Sequence, residues 1–502
     1  MRHIYYILPV MLICISGVEI LAQYRHDAQM VMGYWGNDPV LQFRPDSVQI
    51  EYQSLAFDMV GSSSNISDKE GNLLFYYNGC SMSNADHEIM ENGTGFNPGK
   101  DYDNFCRDST SAYGGSDQSS LILPLDNKDS LFMLLHITSD YYYIKDTVNL
   151  YGIPRYSIVD MKANSGKGRV ILKNQMYHPD TTMQPGAFTA VRHANNRDWW
   201  IINPDEYWSN TIYTTLLRDG ALIPTGSQDI GPKWGQYYHA GFSPDGSKYF
   251  RYSNYRSGLS VMDFDRETGL FSHERHLPVS QANIFALGGS FSPSGRYIYI
   301  GNGPYLMQID AEAEELVADT IAVWDGTVAR WGQPAYFGAM QIGPDCRIYM
   351  APGFCVPFMH VIMEPDKPGK ACDVRQHFFT LKTPICYVPH FPNYRLGTGY
   401  PYCDPDIKVV TSTNQHVAPY SDDVATTLYP NPADNRVTIR SSHVIRSVSI
   451  IDMTGRTVII PEQWPDTVWE ADVSRLPEGV YWVRIDHSGK ERTIFKKLII
   501  LR

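Results

Sequence analysis

The sequence predicts an all-β protein: a β-propeller, with seven blades favoured and six as the alternative, followed by a small C-terminal β-sandwich of immunoglobulin-like type. Three observations lead to this prediction. A hairpin pattern recurs about every 50 residues, helical periodicity is absent over any long window, and 39 Gly and 32 Pro residues suit many turns. At 502 residues the chain is also too long for one ordinary core, which favours repeats or several domains.

The repeat is clearest in the middle of the chain. "GFSPDGSKYF" at 241–250 returns as "SFSPSGRYIYI" at 290–300 and as "MQIGPDCRIYM" at 340–350. Each copy reads as an apolar strand, a tight turn and a second strand rich in aromatic and β-branched residues. With three looser copies upstream, the turns are 57, 69, 49, 49 and 51 residues apart when aligned on Gly71, Lys128, Arg197, Gly246, Gly295 and Cys346.

A second hairpin follows the first in each unit, as in "SVMDFDRETGLFSHER" from Ser260, so each unit predicts four antiparallel strands. A sheet that is apolar on both faces must pack against its neighbours until a ring closes. Six first hairpins can be counted. We expect the chain start, "YWGNDPVLQF" and "SVQIEYQ", to build a seventh blade together with the chain end, "YVPHFPNYRLG", and so to remove exposed edges.

The N-terminus predicts export. In "MRHIYYILPVMLICISGVEILAQ" a short basic region precedes an apolar stretch and a small residue, Ala22, which is typical of a signal peptide over residues 1–22. A membrane anchor needs about 20 clean apolar residues, and Pro9 and Glu19 interrupt this run. No later stretch predicts a transmembrane segment. A net charge of −12 without a basic run argues against a nucleic-acid partner.

Seven cysteines remain after the signal peptide: Cys80, Cys106, Cys346, Cys355, Cys372, Cys386 and Cys403. In an exported chain we expect disulfides, because no C-x-x-C pair occurs and the spacings do not fit a zinc site. The odd count leaves at least one thiol free or paired outside the chain. We predict neither a metal site nor a cofactor.

The ring is predicted over residues 24–403, followed by a linker over 404–427 that is rich in Ser, Thr, Pro and Asp, and by a last domain over 428–502. Four elements follow in order in that domain. They are Tyr429, Pro430, Asn431 and Pro432; then Asp452 and Gly455; then Leu476, Gly479 and Tyr481, with one extra residue before Gly479; and finally Lys496 and Lys497.

This order resembles the C-terminal sorting domain of type IX secretion, the outer-membrane export route of Bacteroidota. The resemblance implies that the export machinery is a partner, that the domain is an address label, and that the protein reaches the cell surface or the medium through the periplasm. An accessory binding sandwich is the alternative.

The ring is similar to uncharacterised secreted proteins of the same bacteria. The shared stretches are "ISDKEGNLLFYYNG" at 66–79, "IMENG" at 89–93, "SIVDMKANSGKG" at 157–168 and "FSPDG" at 242–246, whereas "YWGN" at 34–37 departs from the pattern. This resemblance implies a secreted propeller of the WD40-like kind, and it implies no activity.

A propeller usually binds ligands at the mouth of its central channel. Two similar stretches, "WGQYYHAGFSPDG" from Trp234 and "WGQPAYFGAMQIGPDC" from Trp331, precede inner strands there. Rings beside amides suit a sugar or a peptide. The alternative is a Trp-Gly turn that packs blades together, with Gln binding backbone groups. The candidate ligand-binding residues are Asp117, Gln118, Trp234, Gln236, Tyr238, His239, Trp331 and Gln333.

We predict no catalytic residues. The histidines have no ligand spacing, only Asp117 is an acid placed near the mouth, and the acids at Asp68, Asp245 and Asp345 fit hairpin turns. The sequence therefore favours an exported binding or adhesion module for glycan or protein. The alternatives are a secreted polysaccharide-active enzyme, a lyase or glycosidase at the channel mouth, and a structural surface protein whose channel is plugged.

Overall fold

The computed structural model describes residues 24–34, 36–107, 118–144, 147–178, 181–205, 208–235, 239–254, 257–279, 287–329, 332–409, 426–452, 456–459, 466–487 and 493–502. The predicted signal peptide lies outside these residues. Within them, no helix is long and apolar enough to cross a membrane.

Strands make up almost all of the regular structure of the ring. The first half contains β1 (Gln29–Val31), β2 (Asp38–Phe43), β3 (Ser47–Gln53), β4 (Ser64–Ser67), β5 (Leu73–Tyr77), β6 (Ser81–Asn84), β7 (Ile89–Thr94), helix α1 (Lys100–Phe105), β8 (Ser120–Pro124), β9 (Leu131–Ile144), β10 (Thr147–Asp160), β11 (Arg169–Met176), β12 (Thr189–Arg192), β13 (Trp199–Pro204), β14 (Ser209–Arg218) and β15 (Ala221–Trp234). The second half contains β16 (His239–Phe242), β17 (Lys248–Ser253), β18 (Gly258–Asp265), β19 (Leu270–Leu277), β20 (Leu287–Phe291), β21 (Tyr297–Asn302), β22 (Tyr305–Asp310), β23 (Ala318–Val323), β24 (Met340–Ile342), β25 (Ile348–Met350), β26 (Val356–Ile362), β27 (Val374–Ile385) and β28 (Lys408–Val409).

These strands form seven blades of four strands each, so the propeller prediction is confirmed with the favoured blade number. Blade 1 has the order β1-β2-β3-β28, and blades 2 to 7 take four consecutive strands each, from β4–β7 to β24–β27. The outer strands of blades 2 and 3 also meet in one parallel pair, Glu91 with Arg169. All six predicted first hairpins are the inner hairpins of blades 2 to 7.

Blade 1 joins the two ends of the ring. Its outermost strand, β28, runs parallel to β3 with Lys408 opposite Ser47 and Val409 opposite Val48. Start and end therefore share a blade, as predicted, but the pairing strand lies within the stretch predicted to be a linker. "YVPHFPNYRLG", which we expected in this blade, forms no strand. Pro389 and Pro392 explain the difference, because proline cannot donate to a strand ladder.

The turn of blade 5 shows why these sequences form hairpins. The amide of Gly246 donates to the carbonyl of Ser243 at 2.8 Å, and the amide of Ser247 donates to the Asp245 carboxylate at 3.0 Å. Burial raises the pKa of Asp245, but hydrogen bonds from Ser243 and Ser247 outweigh it and lower the pKa overall. Gly246 has φ of +73°, and a Cβ there would lie 2.7 Å from Val191 of blade 4.

The apolar cores lie between consecutive blades. Each buried aliphatic or aromatic side chain contributes about 1.5–3 kcal/mol, and these side chains need the adjacent blade to be covered. The shared side chains include Val191, Trp200, Tyr249 and Phe271 between blades 4 and 5; Phe250, Val261, Phe291 and Ile298 between blades 5 and 6; and Tyr299, Leu306, Met350 and Ile362 between blades 6 and 7.

After β27 the chain enters the central channel. We call residues 387–393 the channel segment. His390, Phe391 and Asn393 form hydrogen bonds with groups from four blades. The partners are Gln118 beside blade 3, Thr189 of blade 4, Pro244 of blade 5 and Gln341 of blade 7, at 2.6–3.3 Å. The channel segment therefore connects opposite sides of the ring along its axis.

Disulfides hold the chain to blade 7 on both sides of the channel segment. Cys386 bonds Cys355, and Cys403 bonds Cys346. The third disulfide joins Cys80 to Cys106, and Cys372 is a buried free thiol. The expectation of disulfides, with one cysteine left over, is confirmed.

A buried ion pair secures the end of the channel segment to the chain start. The Arg395 guanidinium donates to the Asp27 carboxylate at 2.5 and 2.6 Å, and both side chains are only 6% exposed. Tyr394 donates its hydroxyl to the carbonyl of Ile122 at 2.7 Å. Removing one partner of a buried pair leaves an uncompensated charge, which costs about 3–5 kcal/mol.

The C-terminal domain has its own core. Its strands are β29 (Thr426–Tyr429), β30 (Arg436–Ile451), β31 (Thr457–Ile459), β32 (Asp466–Asp472), β33 (Gly479–His487) and β34 (Thr493–Ile500). The first half of β30 pairs with β29 and β32, and its second half pairs with β31 and β33. Val437, Trp469, Val483 and Leu498 meet in one buried cluster. The predicted small sandwich is confirmed.

Removal of the Cys355–Cys386 bond should loosen the channel segment. We expect Cys355→Ser with Cys386→Ser to lower the free energy of unfolding by about 3 kcal/mol, because the bond closes a loop with a sequence separation of 31. Hydrogen exchange should accelerate in peptides covering residues 387–393. The matched control, Cys80→Ser with Cys106→Ser, should lose similar stability without this local change; equal exchange in both variants would contradict the anchoring role.

Asp38 makes stability fall as pH rises. Burial, with the Asp58 carboxylate nearby, raises the pKa of Asp38 to about 7, against about 3.9 when unfolded. The folded protein thus binds more protons between these values, so the destabilisation is complete above pH 7 and absent below pH 4. We expect Asp38→Asn to raise Tm at pH 8 by about 2 °C or more, with little change at pH 4 in calorimetry. The exposed control Asp319→Asn should not show this pH dependence.

Candidate ligand-binding face

The channel segment leaves little open space in the ring. Beside Phe391 lies a cavity of about 50 Å³, and beside His390 lies one of about 10 Å³. One water needs roughly 10–15 Å³, whereas pockets for small ligands measure roughly 300–1,000 Å³. Among the described residues, these two cavities are therefore the size of one to a few water molecules and too small for a sugar or a peptide.

Gln118 binds the protein's own backbone. Its Nε2 donates to the carbonyl of Ala240 at 2.9 Å, and its Oε1 accepts from the amide of Ala240 at the same distance. The same Nε2 lies 3.1 Å from His390 Nδ1. These contacts match the alternative interpretation, in which the amide binds backbone groups.

His239 and His390 line the smaller cavity together with Gln118. Burial, with His239 nearby, lowers the pKa of His390 to about 3, so its ring is neutral at physiological pH. Because His390 Nδ1 accepts from Gln118, its Nε2 carries the hydrogen and donates to Thr189 Oγ1 at 3.3 Å. His239 is 4% exposed and begins β16. Both imidazoles therefore face the interior.

Trp234 is buried, and a different tryptophan is exposed beside it. Trp234 is 2% exposed, with the Arg251 guanidinium 4.5 Å from its ring centroid. Its carbonyl accepts from the amide of Trp208 at 2.7 Å. Trp208 is 47% exposed and has φ of +66°, which is unusual for a bulky residue. Nothing in the sequence marks Trp208 as the exposed ring, because only contacts from blade 5 show which of the two rings is covered.

Gln333 is the other predicted site residue that the structure describes. It lies between blades 6 and 7, away from the two cavities, and its Oε1 is buried without a hydrogen-bond partner among the described residues. Asp117, Gln236, Tyr238 and Trp331 lie outside the described residues. The structure thus brings Gln118 and His239 together and separates Trp234 and Gln333 from them. Ligand contact by this set stays a prediction.

Exposed rings concentrate at one end of the ring. Strand direction alternates within a blade, so the loops between blades and the turns between second and third strands share one end. We call this end the interblade face. Phe105 is 47%, Trp208 47% and Tyr305 41% exposed there. Partly buried rings accompany them at Trp324, Tyr336 and Phe354.

Two other buried histidines have structural partners. His136 is fully buried between Asn97 and Ser157, at 2.6 and 3.0 Å, and burial lowers its pKa to about 3. His193 stacks on Trp200 with ring centroids 5.5 Å apart. Across the residues that the structure describes, no group of three His, Cys, Asp or Glu side chains could hold a metal ion.

In the C-terminal domain the motif residues contact one another. Asn431 Nδ2 donates to the carbonyl of Lys497 at 2.8 Å, and its Oδ1 accepts from the amide of Ile499 at 2.9 Å. Tyr481 is 7% exposed and donates its hydroxyl to the carbonyl of Pro477 at 2.9 Å. Pro430 and Pro432 flank Asn431, and Gly479 begins β33. Tyr429 and Lys497 are exposed, Lys496 is half-buried, and Gly455 lies outside the described residues.

Comparison with protein families identifies this domain. The family described as the secretion system C-terminal sorting domain matches residues 427–501. The C-terminal domain is a type IX sorting domain. The chain is therefore exported to the cell surface or released from Bacteroidota cells, and the type IX machinery interacts with it through the sorting domain. No curated protein matches the chain.

Solved structures offer only distant likenesses. The chain is similar to a putative 6-phosphogluconolactonase from Bacteroides uniformis, with 11% identity, 71% of this chain and 98% of that chain covered, and a TM-score of 0.40. It is similar to PorZ, a surface component of the type IX system of Porphyromonas gingivalis, with 11% identity, 94% and 75% coverage and a TM-score of 0.30. A periplasmic gluconolactonase from Pseudomonas aeruginosa has 14% identity, 56% and 76% coverage and a TM-score of 0.32. Such distant likenesses transfer no activity to this chain.

Asn431→Ala should free the last strand of the sorting domain. The substitution removes both hydrogen bonds to β34, which together contribute about 1–3 kcal/mol. We expect faster hydrogen exchange in peptides covering residues 493–502 of the full chain, with unchanged exchange in the ring. Asn435→Ala is the matched control, because the Asn435 amide contacts only the neighbouring Asp434. Unchanged exchange at Ile499 would show that Asn431 does not hold this strand.

Proposed function

We propose that this protein is an exported binding or adhesion propeller that recognises an extracellular glycan or protein with its interblade face. The exposed rings at this face are the observation that supports this proposal most directly. The proposal includes a signal peptide over residues 1–22, a ring over 24–403 that is closed by β28 within the stretch 404–427, a linker over the rest of that stretch, and a sorting domain over 428–502. The mature protein is anchored at the outer membrane or released.

The exposed rings support binding at this face. Trp and Tyr are enriched at recognition surfaces, because they supply a large contact area with few rotatable bonds. The hydrogen bond to Trp234 fixes the Trp208 backbone before any ligand arrives, which lowers the entropy cost of binding. Among the eight residues named from the sequence, Gln118 and His239 contribute by supporting the channel segment, whereas Gln333 lies at the interblade face.

A polysaccharide-active enzyme at the channel mouth is the second candidate. That chemistry needs either a metal held by several ligands or two carboxyl groups about 5–10 Å apart. Among the described residues that line the two cavities there is no carboxyl group, and the histidines are His239 and neutral His390, which accounts for our preference for binding. A structural surface protein without a small ligand is the third candidate, and the filled channel fits it as well. Only the exposed rings distinguish binding from this third function.

A sedimentation experiment separates the three candidates. The purified full chain is mixed with cellulose, chitin and starch granules and with immobilised mucin and collagen, and both the retained fraction and the release of reducing ends are measured. We expect retention on at least one surface without product release, and at least tenfold weaker retention for Trp208→Ala.

Trp482→Ala serves as the control, because Trp482 is 41% exposed in the sorting domain. Product release that disappears in His239→Ala would favour the enzyme and overturn the proposal. Retention on none of these surfaces would favour the structural protein.

A further inference from the structure

Three rings form a continuous row on the interblade face between blades 6 and 7. Trp324 and Tyr336 lie in the loop between β23 and β24, and Phe354 lies in the turn between β25 and β26. Trp324 and Tyr336 have ring centroids 5.0 Å apart, and Tyr336 and Phe354 have centroids 6.2 Å apart, both edge to face. All three rings are partly exposed. We call them the aromatic row.

Hydrogen bonds and a disulfide hold this row in place. The Trp324 indole N–H donates to the carbonyl of Thr327 at 2.8 Å, and its amide donates to the carbonyl of Pro304 at 2.8 Å. Phe354 precedes Cys355, which the disulfide ties to Cys386. Because the indole N–H is already used, Trp324 offers a ligand its ring and not its donor. The rings need little ordering before a ligand binds.

Polar groups accompany the row along its blade 7 side. His377 Nε2 lies 3.1 and 3.2 Å from the two carboxylate oxygens of Asp325, whose side chain is 42% exposed. Burial raises the pKa of Asp325, but hydrogen bonds from Thr327 and His377 lower it overall, so the carboxylate is charged at neutral pH. Gln376 bridges the Val323 carbonyl and the Asp325 amide at 2.9 and 3.2 Å.

Two hydrogen-bonding atoms beside the row are unused. His377 Nδ1 and Gln333 Oε1 have no hydrogen-bond partner among the described residues. Gln333 lies in the same loop as Tyr336, and His377 follows Gln376 in β27. Both atoms are buried, so the 42% exposed Asp325 carboxylate is the acceptor that a ligand hydroxyl reaches directly.

The geometry points to the aromatic row as the binding site for a neutral carbohydrate chain. This inference rests on the proposed function and assigns one ligand class to one part of the interblade face. Rings combined with carboxylate, imidazole and amide groups suit a ligand that has apolar faces and many hydroxyl groups. The Asp325 carboxylate and the net charge of −12 oppose anionic polysaccharides. Three partly buried rings also offer far less than the roughly 800 Å² per partner of a standard protein interface.

Affinity electrophoresis of the full chain in gels containing soluble polysaccharide tests the site. The probes are neutral xyloglucan, mannan and laminarin and, as anionic controls, alginate and polygalacturonate. We expect retardation by at least one neutral probe and by neither anionic probe. Trp324→Ala and the milder Phe354→Leu should each weaken that retardation at least tenfold in apparent Kd.

Two controls make the outcomes distinct. Trp482→Ala removes an exposed ring of the sorting domain, outside the row, and it should retain wild-type affinity. Thermal unfolding confirms that each variant folds, and Phe354→Leu keeps an apolar side chain if Trp324→Ala does not fold.

Equal retardation of wild type, Trp324→Ala and Phe354→Leu would show that the aromatic row is not the binding site, and it would leave the proposed function intact. Retardation by anionic probes alone, or binding to mucin or collagen without binding to any neutral polysaccharide, overturns the carbohydrate inference while the binding module stands. Failure to bind any polysaccharide or protein surface overturns both.

Discussion

The structure depends on one constraint: a four-stranded sheet that is apolar on both faces is unstable until both faces are covered. Each blade covers one face of the next, so the cores are shared between blades. Tyr249 of blade 5 packs with Trp200 of blade 4, while Phe250, its neighbour in the same strand, packs toward blade 6. This alternation is the period-two geometry of a strand used on both faces. Both faces of all seven blades are covered only when the last blade packs against the first.

Closure explains why the channel is filled. The two ends of the ring meet in blade 1 through β28. This strand has only two residues, so its pairing with β3 contributes little stability by itself. The remaining stabilisation comes from the axis, where the channel segment contacts several blades, the two disulfides hold it to blade 7, and Arg395 reaches Asp27. The same segment removes the cavity in which propellers usually bind small ligands. Closure of the ring thus leaves the interblade face as the surface at which we propose recognition.

Local features were predictable from the sequence, and long-range choices were not. The six hairpins follow from strand patterns and turn residues such as Asp245 and Gly246, whose roles depend on residues within a few positions. The acids at these turns, His136 and the leftover cysteine also behave as their sequence context suggests. The path of residues 387–393 was not predicted, although Pro389 and Pro392 already argued against a paired strand.

Burial of individual rings depends on distant partners, and the candidate site was less predictable for that reason. Trp234 and Trp208 are neighbours across a strand pair, and only Arg251 of the next blade shows that Trp234 is the covered one. Likewise, the amide of Gln118 could serve a ligand or a backbone; its partner Ala240 lies 122 positions away in the sequence. The aromatic row draws its three rings from two blades, so no single stretch of sequence contained it.

The sorting domain, unlike a single blade, has a buried core of its own. Its buried cluster contains no residue of the propeller, so it does not need the ring to cover its apolar side chains. Within it, the first motif element binds the last, because Asn431 takes the hydrogen-bonding position of a strand residue against β34. A domain whose first and last strands are tied together in this way has a fold of its own. The ring, in turn, completes its closure with β28, and no described strand of the sorting domain belongs to a blade.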